Sequence, residues 1–285
     1  MRLQNFKPKK WRKSLRHFLK LNIKMGKHLK LLTAEYLNDY SNSLNIDWFD
    51  VFNKFRTKNF YSKDDFEYYI QSSATFSSNI EGNSIDIDTY LKNKKFKVKS
   101  KPKEMTEIDD LILAYNFAIK NKLSQTTFLE AHKILSNTVL TLKSQKGKLR
   151  NQQVGIFSGG KVEYMAVEPE LVKEEFGKLF FDIKELLSRD LSHKEIFYYA
   201  SMIHLLFEKI HPFMDGNGRA GRLLEKWFLS EKLGENAWSI QSEKYYAKHR
   251  AEYYQKIHIG YNYYDLKMDR CVPFLLMLPM SLRAV

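Results

Sequence analysis

The stretch His211-Pro212-Phe213-Met214-Asp215-Gly216-Asn217-Gly218-Arg219-Ala220-Gly221-Arg222 concentrates residue types that handle phosphate. Pro212 and the glycines stop a preceding helix. Gly216-Asn217-Gly218 can take the mixed backbone conformations that turn successive N–H groups inward as an anion nest. A helix starting there adds the positive end of its dipole. Arg219 and Arg222 lie three apart on that helix, so both guanidinium groups leave the same face near the same anion. Asp215 puts a single carboxylate beside the nest, which suits Mg²⁺, since that ion takes one or two protein carboxylates and fills its shell with water and substrate phosphates. His211 offers a base whose unperturbed pKa lies near neutrality.

The surrounding elements must hold this stretch in place. Apolar residues recur at spacings of three and four, which predicts helices over about 27–41, 47–57, 62–79, 104–121, 124–139, 170–189, 192–210, 218–232, 242–260 and 268–278. Ser192 followed by Glu195 reads as a capping box. One stretch, Gln153 to Tyr164, alternates like a strand pair, with Val154, Ile156 and Val162, Tyr164 flanking a Ser158-Gly159-Gly160 turn. The expected fold class is all-α with a small β-hairpin. The lysine-rich run Lys92 to Lys103, with Pro102, reads as a surface loop. It separates a basic helical extension over 1–59 and a segment over 60–103 from a core over 104–285.

Two other readings of the stretch fail. Gly216, Gly218 and Gly221 match G-x-G-x-x-G, but a dinucleotide fingerprint follows a strand, and Ile196 to Ile210 reads as a helix. An EF-hand loop with Gly216 at its sixth position needs acids where His211 and Phe213 stand and a glutamate where Arg222 stands. A glycine-rich turn with solvated arginines would account for any one of these residues but not for the whole string.

The string His211 to Arg222 resembles the signature of the Fic family, H-P-F-x-[D/E]-G-N-G-R-x-x-R, at every specified position. Ala200, His204 and Phe207 before it and Leu223-Leu224 after it extend the likeness. Upstream, Ser77-Ser78-Asn79-Ile80-Glu81-Gly82 resembles the inhibitory motif [S/T]-x-x-x-E-[G/N], carried N-terminal to the core as in class II members. The resemblance implies a Fic-type helical bundle with the hairpin 153–164 as its flap and 211–222 as its active-site loop. It implies a protein adenylyltransferase that moves AMP from ATP to a hydroxyl of a target protein. In that scheme His211 deprotonates the hydroxyl and Asp215 holds Mg²⁺. Gly216, Asn217, Gly218 and Arg219 bind the α- and β-phosphates, Arg222 faces the γ-phosphate, and Phe213 packs beneath the loop. Gly218 favours nucleotidyl over phosphate transfer, because the Doc toxins carry a lysine there. Ser77, Glu81 and Gly82 form a brake, with Glu81 competing with the γ-phosphate for Arg222. The target adds as a strand to the flap. Tyr254, rather than Tyr253, resembles an aromatic placed near the nucleobase, with core packing as the alternative for either.

Rivals remain at this level. The same fold can use UTP, GTP or CDP-choline, or remove AMP with Glu81 positioning water. A nucleotide-sensing regulator is a third reading. Of the net charge of +14, eleven Lys and Arg and no acid fall within residues 1–34, so the rest of the chain carries +3. Such an arm can bind nucleic acid, though a solvated helix face or frayed terminus is favoured. With no helix-turn-helix evident, DNA binding would depend on the arm alone. No apolar run nears the roughly 18 residues of a membrane span. The run near Val272 to Met280 is broken by Pro273 and Pro279, and no signal-peptide stretch precedes the chain's first helix. A lone Cys271 agrees with a reducing compartment, so a cytoplasmic protein is expected. Oligomeric state is open, including a homodimer whose partners trade inhibitory segments.

Overall fold

The structure is a computed structural model and describes residues 28–44, 62–96, 102–158 and 161–283. The arm 1–27 and the helix expected over 47–57 lie outside the described residues. The elements are α1 (Leu37–Ser43), α2 (Lys63–Ile80), α3 (Ile87–Lys95), α4 (Lys103–Lys120), α5 (Gln125–Leu135), β1 (Gly155–Ser158), β2 (Lys161–Met165), α6 (Pro169–Ser188), α7 (His193–Ile210), α8 (Asn217–Leu233), α9 (Ser242–Lys248) and α10 (Arg250–Ile257), followed by short turns at Val272–Leu275 and Met277–Met280. The class is the mostly helical one expected, with a two-stranded antiparallel hairpin.

Helix α7 is the axis. Every residue from Ile196 to Ile210 is buried, as a helix apolar on all sides must be. It starts at the Ser192–Glu195 capping box. Residues 211–216 turn the chain into α8, which is buried from Arg219 to Leu229. Residues 211–216 are therefore a loop fixed between the two most buried helices described, with 217–222 forming the start of α8 and α2, α4, α5 and α6 packed around them.

Helix α2 is seated through polar contacts that hydrophobic periodicity does not reveal. Ser72, Ser73, Ser77 and Ser78 are all buried, and their small side chains admit close approach. Ser72 Oγ donates to Gln241 Oε1 (2.7 Å). Lys226 Nζ donates to Ser73 Oγ, to the Ile240 carbonyl and to Glu243 Oε2, each at 2.6 Å. Both ends of the Lys226–Glu243 pair are fully buried. Removing one partner strands a charge in the interior, so Lys226→Ala should lower unfolding stability by about 3–5 kcal/mol in a urea titration. A loss under about 1 kcal/mol would mean that water reaches Glu243.

Several expected boundaries shift. The helix expected over 27–41 begins only at Leu37: the Asp182 carboxylate on α6 takes the N–H groups of Lys30, Leu31 and Leu32 at 2.7–2.8 Å, which withdraws them from helical pairing and leaves 28–36 as bends and turns. The loop expected over 92–103 is helical through Lys95. Asp86 caps α3 by accepting the Thr89 N–H, and Lys92, Lys94 and Lys95 sit in its last turn, where the helix dipole favours cations. Helix α5 stops at Leu135 instead of 139, and Asp110 accepts the Thr138 N–H just beyond it. The helix expected over 242–260 breaks at His249 (φ −112°, ψ 36°), and the one over 268–278 is a series of short turns.

Candidate active site

Each side chain of the stretch is placed by a recognisable local cause. His211 ends α7 in the left-handed region (φ 49°, ψ 61°), the one described non-glycine residue with positive φ. The buried Arg150 pins this turn. Its guanidinium donates from Nε to the His211 carbonyl (2.8 Å) and from Nη2 to the Ile210 (3.3 Å) and Val167 (2.5 Å) carbonyls, and Nη1 reaches the Gln152 carbonyl (2.8 Å). The Arg150 N–H adds a bond to the Pro212 carbonyl (2.9 Å). One arginine thus ties the end of α7 to both roots of the hairpin.

Below the loop, Phe213 is buried against His132 of α5, with ring centroids 3.4 Å apart and planes within 6°. His132 Nδ1 accepts the Gly147 N–H (3.0 Å), so its Nε2 carries the proton and donates to the Asp215 carbonyl (3.0 Å). Burial holds His132 down to about 4 and keeps it neutral. Asn217 spends its side-chain amide on the loop itself, with Oδ1 accepting the Phe213 N–H and Nδ2 donating to the Phe213 carbonyl, both at 2.9 Å. Gly216 has φ +80°, and a Cβ there would approach Leu135 to 3.2 Å. That conformation starts α8 abruptly. Its first internal bond runs from the Ala220 N–H to the Gly216 carbonyl, so the N–H groups of Asn217, Gly218 and Arg219 have no acceptor within the helix. These donors overlap the Gly216-Asn217-Gly218 nest expected from sequence but are shifted by one residue, because the Gly216 N–H is taken by Asp215 Oδ1; Asn217 offers its backbone rather than its side chain.

Asp215 is exposed beside the nest, and its Oδ1 accepts the Gly216 N–H (2.6 Å). Among the described residues no group of three or more His, Cys, Asp or Glu comes together as a metal cage. A lone exposed carboxylate next to anion donors fits Mg²⁺ held jointly with substrate phosphates. Arg219 is turned toward α4, with Nη1 3.3 Å from Glu107 Oε2. His211 sits at the other side of the loop. Burial lowers its ring to about 4, so it is a neutral imidazole at physiological pH, the state a general base requires.

Arg222 is fully buried, and α2 occupies it. Nε donates to Ser77 Oγ (2.9 Å), Nη2 to the Ser77 carbonyl (2.9 Å) and to Glu81 Oε1 (2.7 Å), and Nη1 reaches the Tyr253 hydroxyl at 3.4 Å. Surrounding protein opposes the Glu81 charge, but the Arg222 guanidinium outweighs it and holds the carboxyl below its ordinary range. Glu81 stands at the end of α2 because Gly82 takes φ +99° and stops the helix there. A Cβ built on Gly218 would lie 2.2 Å from Glu81 Oε1, so the carboxylate rests directly on the nest. The pair forms within one chain.

Tyr254 donates its hydroxyl to the Ile80 carbonyl (2.9 Å), beside Arg250 Nε at 2.8 Å from the same oxygen. Its ring is 42% exposed, with the Arg250 guanidinium 5.5 Å from its centroid. Tyr253 is buried and bonded to His204 Nε2 (3.0 Å). The hairpin lies above the end of α7. Tyr164 is buried and donates to the Lys209 carbonyl (2.7 Å), while Ile156, Phe157 and Val162 are exposed. Arg150, His132 and Arg250 were not singled out from sequence; isolated basic residues outside a motif carry no signal of what they will meet.

Residues 122–229 match the model of the Fic/DOC family, a span running from α5 through the hairpin and the loop into α8. That segment is a Fic/DOC family domain. Solved structures extend the likeness to most of the chain. A Fic family protein from Desulfovibrio desulfuricans G20 matches with a TM-score of 0.70 at 20% identity, covering 90% of this chain and 74% of the other. A Fic domain containing signaling protein from Bacteroides thetaiotaomicron VPI-5482 matches with 0.59 at 17% identity, over 82% and 96%. Fic-1 (aa134 - 508) from C. elegans matches with 0.59 at 18% identity, over 97% and 75%. The architecture is the Fic fold. Among the described residues no helix is long and apolar enough to cross a membrane.

Proposed function

We propose that this protein transfers AMP from ATP to a hydroxyl side chain of a target protein and restrains itself through Glu81. The observation that carries the reading is the Glu81 carboxylate, 2.7 Å from the buried Arg222 and resting on the Gly218 backbone of an anion nest. An anion of this chain fills a place built for anions, next to a neutral histidine. The family match supports a nucleotidyltransferase, and Gly218 leaves the nest open where a lysine would fill it.

In the reaction, His211 accepts the proton of the target hydroxyl, whose oxygen bonds to the α-phosphorus while the bond to the β-phosphate breaks and pyrophosphate leaves. The N–H groups of residues 217–219 and the end of α8 bind phosphate oxygens, with Arg219 drawn from Glu107 to help. Asp215 would hold Mg²⁺, which supplies charge neutralisation on the phosphates. Arg222 serves the γ-phosphate once Glu81 has left. Ser77 stays as its hydrogen-bond partner. Tyr254 lies at the end of α2 with an exposed ring edge for the nucleobase, and the exposed hairpin residues take an extended target segment.

The test is Mg²⁺-dependent labelling with α-labelled ATP, UTP and GTP and with CDP-choline labelled on its choline, using wild type, Glu81→Gly, and Glu81→Gly with His211→Ala, with cell lysate supplying targets. Label from ATP alone, dependent on His211, supports the reading; no label from any donor overturns it. Gly218→Ala in the Glu81→Gly background adds a methyl group inside the nest. It should raise the KM for ATP by about tenfold or more, since close backbone approach is what the nest supplies. An unchanged KM would place the phosphates elsewhere.

A further inference from the structure

The carboxylate of Glu208 has no duty in the scheme above, yet its placement is unusual. Glu208 lies one turn before His211 on α7 and is 8% exposed. Its Oε2 is 3.8 Å from His211 Nδ1. Two buried atoms at this junction, Glu208 Oε1 and His211 Nδ1, make no full hydrogen bond, and the Glu208 main chain is the other polar group close to the His211 ring, where it favours the protonated form. Buried polar atoms are nearly always satisfied, and leaving a carboxylate oxygen without a partner opposes folding, so such a group calls for a function. The opposing helix makes room for it. A Cβ on Gly221 would lie 2.5 Å from Glu208 Oε1, so the third glycine of the stretch is the space in which this carboxylate sits. The left-handed turn at His211 brings Nδ1 against the last turn of α7. Nε2 is then the nitrogen open to the cleft.

We propose that Glu208 is a positioning residue for His211: its carboxylate faces the ring nitrogen that the base does not use, fixes the Nδ1–H tautomer and stabilises the imidazolium while the acceptor's proton resides on Nε2. This rests on the reading of His211 as the general base. The balance is simple. The proton passes from the hydroxyl to Nε2, Nδ1 keeps its own proton, and Glu208 stays an anion throughout. The 3.8 Å separation belongs to the braked state, and such contacts tighten when a positive ring forms.

The groups facing Glu208 are His204 and Lys209 on its own helix, His211 beyond it, Arg222 on α8, Glu81 at the end of α2 and Tyr253 on α10. Burial lifts the Glu208 carboxyl to about 6, with His204 acting against this and Glu81 adding to it. At pH 7.5 Glu208 is thus mostly ionised, and departure of Glu81 removes a neighbouring negative charge and brings its pKa back toward the ordinary carboxylate range.

The test has two readouts. The first is the ¹⁵N-histidine spectrum at pH 7.5, with His211 assigned by its loss in His211→Ala. Wild type should show the Nδ1–H tautomer, and Glu208→Leu a mixture of tautomers. Glu208→Gln, which keeps size and some hydrogen bonding, covers the case in which the leucine variant does not fold. It should keep the tautomer but let the ring titrate about one pH unit lower. The second is transfer at saturating ATP in the Glu81→Gly background. Adding Glu208→Gln should lower kcat about 30-fold with the KM for ATP unchanged, move the acid limb of the pH profile to lower pH, where only the His211 ring sets it, and be partly reversed by Glu208→Asp. A His211 ring with the same tautomer and titration in every folded Glu208 variant would overturn the pairing. If Glu81→Gly transfers nothing from any donor, the assigned activity fails, and the histidine spectrum still decides the pairing.

Discussion

Glu81→Gly is expected to raise self-labelling from α-labelled ATP about 100-fold over wild type. The structure holds the carboxylate on Arg222 at 2.7 Å and on the nest, so ATP must displace it before its γ-phosphate can pair. A preference of about 2.7 kcal/mol for the braked arrangement leaves roughly 1% of molecules competent, and deleting the side chain recovers the rest. Such a preference is within reach of one charge-assisted contact, because α2 need not leave. Ser72, Ser73 and Ser77 still anchor it, and Arg222 keeps its bonds to Ser77. The same substitution should lower thermal stability, since Arg222 is then buried without its counter-charge. The drop should stay at about 1–2 kcal/mol, because the Glu81 side chain retains 31% of its surface and water can reach the vacated place. Activity up and stability down together identify a brake. A variant no more active than wild type would mean that Glu81 does not stand in the way of substrate.

His211→Ala in the Glu81→Gly background is expected to lower transfer by about 10²–10⁴-fold while leaving ATP affinity within about twofold. The ring is a neutral imidazole, lowered to about 4 by burial, and it makes no hydrogen bond to the Arg222 cluster. Loss of the ring therefore removes proton transfer and little else. The main-chain contact from Arg150 to the residue 211 carbonyl persists with alanine, although the left-handed backbone at 211 costs alanine about 1 kcal/mol. Rates by labelling and affinity by calorimetry, side by side, separate the two effects. A fall in ATP affinity equal to the fall in rate would recast His211 as a binding residue.

The sequence by itself determined the all-α class, the loop between two apolar helices, the hairpin and the chemical inventory of 211–222. It could do so because these features are local. Helical periodicity across α7 and α8, the Ser192–Glu195 cap and a glycine-rich turn are each written within a few residues. The same locality explains the errors. Residues 28–36 carry helical spacing, but Asp182, about 150 positions away, takes the N–H groups of Lys30, Leu31 and Leu32 and leaves the segment as bends and turns. Locality also hides how a residue is used: Asn217 reads as a phosphate ligand by motif, and the fold spends its side chain on Phe213 while leaving its backbone N–H without an acceptor in the helix.

Only the tertiary structure decided what the buried charges meet. Glu81 and Arg222 are 141 positions apart, and nothing in either segment fixes the distance between them. It is set by the seating of α2 on α8 and α9 through serines and the Lys226–Glu243 pair. Arg150, His132 and Glu208 are single residues without a pattern, and each acquires its role from a partner supplied by another element or by the reversal of the chain at His211. Motifs encode which groups are present. Whether a base is neutral, a nest is occupied or a guanidinium is already paired depends on burial and distance, which the folded chain alone establishes.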